Sequence, residues 1–332
     1  MGNELPRKRA GRVVAIAGGK GGVGKSVVSL NLAVLLGRFG YRTTIIDCDL
    51  GAPNIHTLLG VTRPGPGLGG YLDHEVENLA DAAIDVGAPS LRVIPGTARP
   101  GAANINAGQK LRLLRAIANL GGDIVIVDVG AGTAHNTVDL VTAADLKLIV
   151  MTPQLTSLQN AYSFLKACVQ RALRRLPDDT ESRAVLEELL TGEGETRPVQ
   201  RAVAILRDSH GELADAVVDV LARFGVMLVG NMASTERDGE VFARMSHMIA
   251  DYLMIQAPVV GTLPLSDAVR TSVNARMPVA LADRPPEVLT GLRAIARQIL
   301  DADVRRLRVA GRAQAAERTL PIWVERDLPA PR

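Results

Sequence analysis

The apolar run Val13-Val14-Ala15-Ile16-Ala17 leads into Gly19-Lys20-Gly21-Gly22-Val23-Gly24-Lys25-Ser26, and a helical pattern opens at Lys25. This join calls for a buried strand, a tight glycine-rich loop and a helix in that order, which places the chain in the α/β class. The glycines let successive backbone N–H groups turn inward on an anion, and the helix, expected over Lys25–Phe39, aims its positive dipole end at the same anion. In such a cradle Lys25 reaches the β- and γ-phosphates of a nucleoside triphosphate and the Ser26 hydroxyl is placed for Mg²⁺. Gly19, Lys20, Gly21, Gly22, Val23, Gly24 and, in the first helical turn, Val27 complete the phosphate-binding set. Lys20 is not required by an ordinary phosphate loop.

Gly19, Gly21 and Gly24 also satisfy Gly-x-Gly-x-x-Gly, and Asp47 at the end of the next strand could serve as a ribose-binding carboxylate. The adjacent Lys25-Ser26 pair decides for a triphosphate, because a hydride-transfer cofactor has no use for a hydroxyl that binds Mg²⁺.

Short apolar runs alternate with helical patterns, as in a mostly parallel twisted sheet with helices on both faces, the three-layer P-loop NTPase arrangement. Strands are expected at about 12–17, 43–47, 91–95, 123–128, 146–151, 226–231 and 258–262. Between Ala161 and Phe224 the strand rhythm stops, so residues 170–224 are expected to form a helical insertion in an ATPase domain spanning 12–301. The flanks, 1–11 and 302–332, read as a basic N-terminal tail and an arginine-rich C-terminal tail. Val241, Met245, Met248, Ile249 and Tyr252 recur at helical spacing and are expected to face the core.

Aromatic residues make up only 3% of the 332, too few for a platform that stacks single-stranded bases. Cys48 and Cys168 lie far apart, without metal-ligand or disulfide spacing, and the five histidines show no ligand spacing either. No apolar stretch reaches the ~18 residues of a membrane span, and the N-terminus has no export segment. A cytoplasmic location follows, with peripheral contact at the inner face of the cell membrane as the only membrane association expected.

Carboxylates and amides stand where strands end, and ligands of open α/β sheets bind there. Asp47 closes the second strand with Asp49 just beyond it. Gly51 and Pro53 favour an exit from strand geometry after Asp47, freeing the two carboxylates for different tasks. Asp47 is expected to orient the Mg²⁺ shell or the loop lysine, and Asp49 to position an attacking water near the γ-phosphate. Asp128-Val129-Gly130-Ala131-Gly132 ends an apolar strand in a Mg²⁺-suited aspartate and a flexible turn that could sense the γ-phosphate. His135, just past that turn, is read as hydrogen-bonded to backbone, with a γ-phosphate contact as the lesser alternative.

Together these motifs resemble the deviant Walker A family of MinD, ParA and their relatives over about Val13–Val169 and Phe224–Ala280. The resemblance implies that Lys20 is the signature lysine that crosses to a partner's nucleotide, Lys25 the loop lysine, Ser26 and Asp128 Mg²⁺ ligands, and Asp49 the water-orienting aspartate. It further implies that Asn231 reads adenine and that Pro264 lies at the nucleotide site. Asp49-Leu50-Gly51-Ala52-Pro53-Asn54, Val93-Ile94-Pro95-Gly96 and Thr152-Pro153-Gln154-Leu155-Thr156-Ser157 are similar to the FlhG (FleN) branch, MinD-like regulators of flagellar number and placement. The resemblance thus implies a slow, partner-stimulated ATP hydrolase that pairs as an ATP homodimer and engages a protein activator or cargo, to position a flagellum or motility assembly. Membrane contact through the C-terminal tail is expected to be weak, because Val304, Leu307 and Val309 offer little apolar surface among arginines. The alternative is a ParA-like ATPase that binds DNA nonspecifically for chromosome or cargo partitioning. An iron–sulfur carrier ATPase is disfavoured by the lack of paired cysteines.

Overall fold

The computed structural model describes residues 11–99, 104–176, 179–191, 198–282 and 286–302. The expectations for the two tails, including the membrane contact of the C-terminal one, lie outside these residues.

One eight-stranded sheet forms the middle layer. Its strands are β1 (Arg12–Ala17), β2 (Thr43–Cys48), β3 (Ile84–Asp85), β4 (Leu91–Ile94), β5 (Ile124–Val129), β6 (Leu146–Met151), β7 (Val226–Ala233) and β8 (Val259–Pro264). They lie in the order β3-β4-β2-β5-β1-β6-β7-β8, parallel throughout except for β3 against β4. The seven strands expected from apolar runs are all present. The central ones are buried on both faces, which makes them read as unbroken hydrophobic stretches. In β1, Val13, Ala15 and Ala17 face one core while Val14 and Ile16 face the other.

The second of these cores is covered chiefly by α1 (Lys25–Arg38) and α12 (Val288–Asp301). The other takes α3 (Gly67–Leu72), α4 (Ala107–Ala118), α5 (His135–Ala143), α6 (Leu155–Leu173), α7 (Thr180–Thr191), α8 (Pro198–Ser209), α9 (Gly211–Ala222) and α10 (Glu236–Leu253). Short α2 (Ile55–Leu58) and α11 (Asp267–Asn274) flank the carboxyl edge of the sheet. No helix among the described residues is long and apolar enough to cross a membrane.

In α10 the buried stripe is Phe242, Met245, Ile249 and Leu253, whereas Val241, Met248 and Tyr252 are only half-buried. The expected face was therefore rotated by about one residue. Its anchor is Phe242, whose ring lies so close to Gly230 that a Cβ there would come within 2.1 Å of a ring carbon.

Three cations converge on one carboxylate in the helical layer. Asp139 of α5, 1% exposed, is bonded by Lys110 of α4 and by Arg171 and Arg175 at the end of α6, the arginines at 2.8 and 2.7 Å. Burial works against its charge, but Arg171, Lys110 and Arg175 prevail and hold the carboxyl below its ordinary range. The network pins three helices together.

Lys147 is a buried cation at the second position of β6. Its Nζ donates to the Ala144 carbonyl at 3.0 Å and lies 4.9 Å from the centre of the Phe224 ring. Burial pushes its ammonium down to about 8, with Asp145 acting in the opposite direction. Below pH 8 the folded and unfolded chains both hold this proton. Between about 8 and the ordinary value of 10.5 only the unfolded chain holds it, so the group's destabilising contribution fades as pH rises through that window. Lys147→Met is expected to raise Tm by roughly 2–4 °C at pH 7 and by less at pH 9.5, measured in thermal melts.

Cys48 and Cys168 are both buried and unpaired, and burial pushes each thiol well above its usual range.

Candidate active site

The loop between β1 and α1 turns through two left-handed glycines, Gly22 at φ 80° and Gly24 at φ 88°. Gly24 caps α1 with no side-chain hydrogen bond, so the first-turn N–H groups face the loop's interior without a capping oxygen. Lys25 is 8% exposed and its Nζ lies 3.5 Å from the Lys20 carbonyl, pointing under the loop. Lys20 is exposed, and its Nζ donates to Thr156 Oγ1 at 3.2 Å. Ser26 and Val27 follow in the first turn of α1, both half-buried.

Gly19 is held against α6. A Cβ on it would lie 2.0 Å from the Asn160 carbonyl oxygen, and that atom belongs to helix backbone. Gly19→Ala therefore forces loop and helix apart, and is expected to weaken ATP binding at least tenfold (about 1.4 kcal/mol) in equilibrium titration.

The acidic side comes from β2 and β5, the strands next to β1. Asp47 and Asp128 are register partners and share the α1 face of the sheet. Asp128 Oδ1 accepts from Ser29 Oγ at 2.7 Å, although that hydroxyl also lies 2.9 Å from the Lys25 carbonyl and its single proton serves one at a time. Burial pushes the Asp128 carboxyl up to about 6 against the pull of Ser26 and Ser29 hydrogen bonds and of Lys25. Asp128 Oδ2 is buried with no hydrogen-bond partner among the described residues. A carboxylate with one orphaned oxygen beside a serine hydroxyl fits a divalent cation. Ser26 and Asp128 would hold Mg²⁺ here, directly or through water, and the ion would supply positive charge to phosphoryl oxygens.

Asp47 is tied to the loop that follows it. Burial and Asp128 push it up to about 7, yet its Oδ2 accepts from the Asn54 and Ile55 N–H groups at 2.8 and 3.0 Å and its Oδ1 from the Asp49 N–H at 3.2 Å. Both oxygens are engaged by the following loop, so Asp47 shapes that loop. The chain leaves strand geometry at Cys48. Asp49 Oδ1 then accepts from the Gly51 and Ala52 N–H groups, and its carboxyl packs over Gly130, where a Cβ would come within 3.1 Å of Oδ1. Asp49 is thus held over the turn that follows Asp128.

Asn231 extends from β7 under the loop, donating Nδ2 to the Val23 carbonyl at 2.8 Å. A Cβ on Gly24 would lie 2.4 Å from the same nitrogen. This bond makes Asn231 a brace of the loop, and it leaves the second amide N–H and Oδ1 for other partners. Pro264 ends β8, the outermost strand on that side, and His135 opens α5 as an exposed residue. Lys20, Lys25, Ser26, Asp49 and Asp128 are brought together around the loop; Pro264 and His135 stand further out. Sequence reasoning missed Ser29, which is legible in retrospect as a polar residue one turn beyond Lys25-Ser26 on a mostly apolar helix. It also missed Thr156, the perch of Lys20.

A parallel sheet whose central strand feeds a phosphate loop, with aspartates at the ends of neighbouring strands, defines a P-loop nucleotide-binding protein. The chain belongs to the CobQ/CobB/MinD/ParA nucleotide binding domain family, whose description matches residues 14–279. Over 291 residues it is 26% identical to the antiactivator FleN of Pseudomonas aeruginosa, a match covering 87% of this chain and 86% of that protein. It is 31% identical over 159 residues to the flagellum site-determining protein YlxH of Helicobacter pylori, covering 47% of this chain and 53% of that one. Among solved structures, the cell division ATPase MinD of Pyrococcus furiosus superposes with a TM-score of 0.59 at 19% identity, over 87% of this chain and 98% of its own. A ParA family ATPase from Chlorobium tepidum gives 0.59 at 21% identity, over 87% and 99%. Both share the fold.

Proposed function

We propose that this chain is a Mg²⁺-dependent ATPase of the MinD/ParA type that acts as an ATP-driven dimerisation switch, setting the number or position of a flagellum or motility assembly. The observation that carries the reading is the two-lysine loop. Lys25 and Asp128 are buried beneath it beside the half-buried Ser26, while Lys20 stands exposed on the outer rim. A buried lysine serves the chain's own triphosphate; an exposed one at the mouth of the same loop serves a second copy facing it. The flagellar assignment is supported by the likeness to YlxH, whose name states a flagellum site-determining role for that protein, and the regulatory character by the likeness to FleN, named an antiactivator.

In the hydrolytic step the loop N–H groups, Lys25 and the partner copy's signature lysine neutralise charge on the phosphoryl oxygens. Asp49 accepts a hydrogen bond from water so that its oxygen faces the γ-phosphorus. The new P–O bond forms as the bond to the β–γ bridging oxygen breaks, and ADP and phosphate leave. Separation of the copies then resets the switch, at a slow basal rate that a protein activator or cargo partner raises.

Light scattering tests the proposal: a monomer with ADP, a dimer with ATP and Mg²⁺, and return to monomer on chelation. A protein that retains ATP and Mg²⁺ without pairing would refute it. Pelleting with anionic liposomes in ATP would support peripheral membrane contact, whereas a salt-sensitive, ATP-dependent DNA shift would favour DNA partitioning instead.

A further inference from the structure

Thr152 lies one residue beyond β6, at the point where the sheet passes behind the phosphate loop. It is 4% exposed, and its Oγ1 is a buried polar atom with no partner among the described residues. Its backbone, by contrast, is fixed: the Thr152 N–H donates to Ser157 Oγ at 3.0 Å, which clamps the start of α6. Register places it. Ala17 pairs with Ile149 and Gly230 with Met151, so continuing up the sheet sets Thr152 level with the loop's first residues on one side and with Asn231 on the other.

The neighbouring atoms are already in tight contact. A Cβ on Gly18 would lie 2.7 Å from the Val150 carbonyl, Asn231 braces Val23, and Lys20 is tethered to Thr156 only four residues beyond Thr152. A threonine hydroxyl that is buried and unsatisfied among these contacts imposes a desolvation cost with no compensating bond. Such a cost is tolerated where another state of the protein supplies the partner.

We propose that Thr152 is a positioning residue for the nucleotide: when the loop wraps a triphosphate, the Thr152 hydroxyl becomes hydrogen-bonded to the loop's opening residues and holds them in the closed form. It touches the loop, not the phosphates. The inference rests on the proposed ATP reading and adds a residue to it.

Thr152→Val keeps the shape and removes the hydroxyl. The nucleotide-free variant is expected to melt no lower than wild type, since an unsatisfied group has been replaced by a methyl, while its Kd for ATP with Mg²⁺ rises about five- to tenfold. Thr152→Ser, which restores the hydroxyl, is expected to bind ATP within about twofold of wild type. A residue that merely packs would show the opposite: lower melting and unchanged binding. The inference is overturned if Thr152→Val binds ATP like wild type, if its nucleotide-free melting temperature falls, or if Thr152→Ser binds as weakly as the valine variant. Failure of the wild-type protein to bind ATP would instead refute the ATP reading itself, so the two failures are distinguishable within one titration set.

Discussion

Asp49→Ala is expected to bind ATP within about twofold of wild type, lower turnover by about 100-fold or more and accumulate as an ATP-bound dimer. Asp49 contributes nothing to the loop that grips phosphate; its carboxyl sits over Gly130, beside the turn after Asp128. It also accepts the Gly51 and Ala52 N–H groups, so loss of turnover in the alanine variant could reflect a slackened loop. Asp49→Asn separates the two causes. The amide oxygen keeps the turn but is a far weaker acceptor for a water, so the asparagine variant should share the turnover defect while protecting residues 49–55 from hydrogen exchange like wild type. Phosphate release assays and light scattering read both quantities. An Asp49→Ala protein that stays monomeric in ATP would contradict the assignment.

Lys20→Ala is expected to retain ATP with little change, to melt within about 1 °C of wild type, and to weaken ATP-dependent pairing by about 100-fold. The asymmetry follows from exposure. Lys25 is buried under the loop, and its loss would leave phosphate charge unbalanced within one protomer. Lys20 is exposed, and the bond its ammonium donates to the Thr156 hydroxyl is a surface hydrogen bond of small worth. Replacing an exposed lysine rarely alters a fold, so a large effect confined to pairing would identify the second copy as its target. Analytical ultracentrifugation across a concentration series in ATP supplies the measurement. Equal pairing in wild type and Lys20→Ala would remove the reason for the second lysine.

The sheet was legible because its strands are buried on both faces, and a doubly buried strand has to be a continuous apolar run. β3 was not, since two residues carry no periodicity. The extension of β7 past Asn231 to Ala233 also left no trace, for it passes through Met232 at φ 57° and a register shift against β8, and nothing about methionine signals a left-handed backbone. The loop residues could be named from sequence because phosphate chemistry demands those types at those spacings. Other parts of the site depend on distances that only folding creates. The three backbone N–H groups that Asp47 accepts, and the Val23 carbonyl that Asn231 reaches, left no trace in the string of residues. The unsatisfied Thr152 hydroxyl is of the same kind, since a missing partner has no signature in a string of residues.

The two buried thiols make the folded chain its own reporter. Neither should react with an alkylating reagent while its surroundings stay closed, because the sulfur is both inaccessible and held in the unreactive protonated form. One lies between Asp47 and Asp49 and the other deep in α6, so peptide mapping after timed labelling would reveal, without any engineered probe, which side of the molecule breathes first and whether a bound nucleotide quiets it.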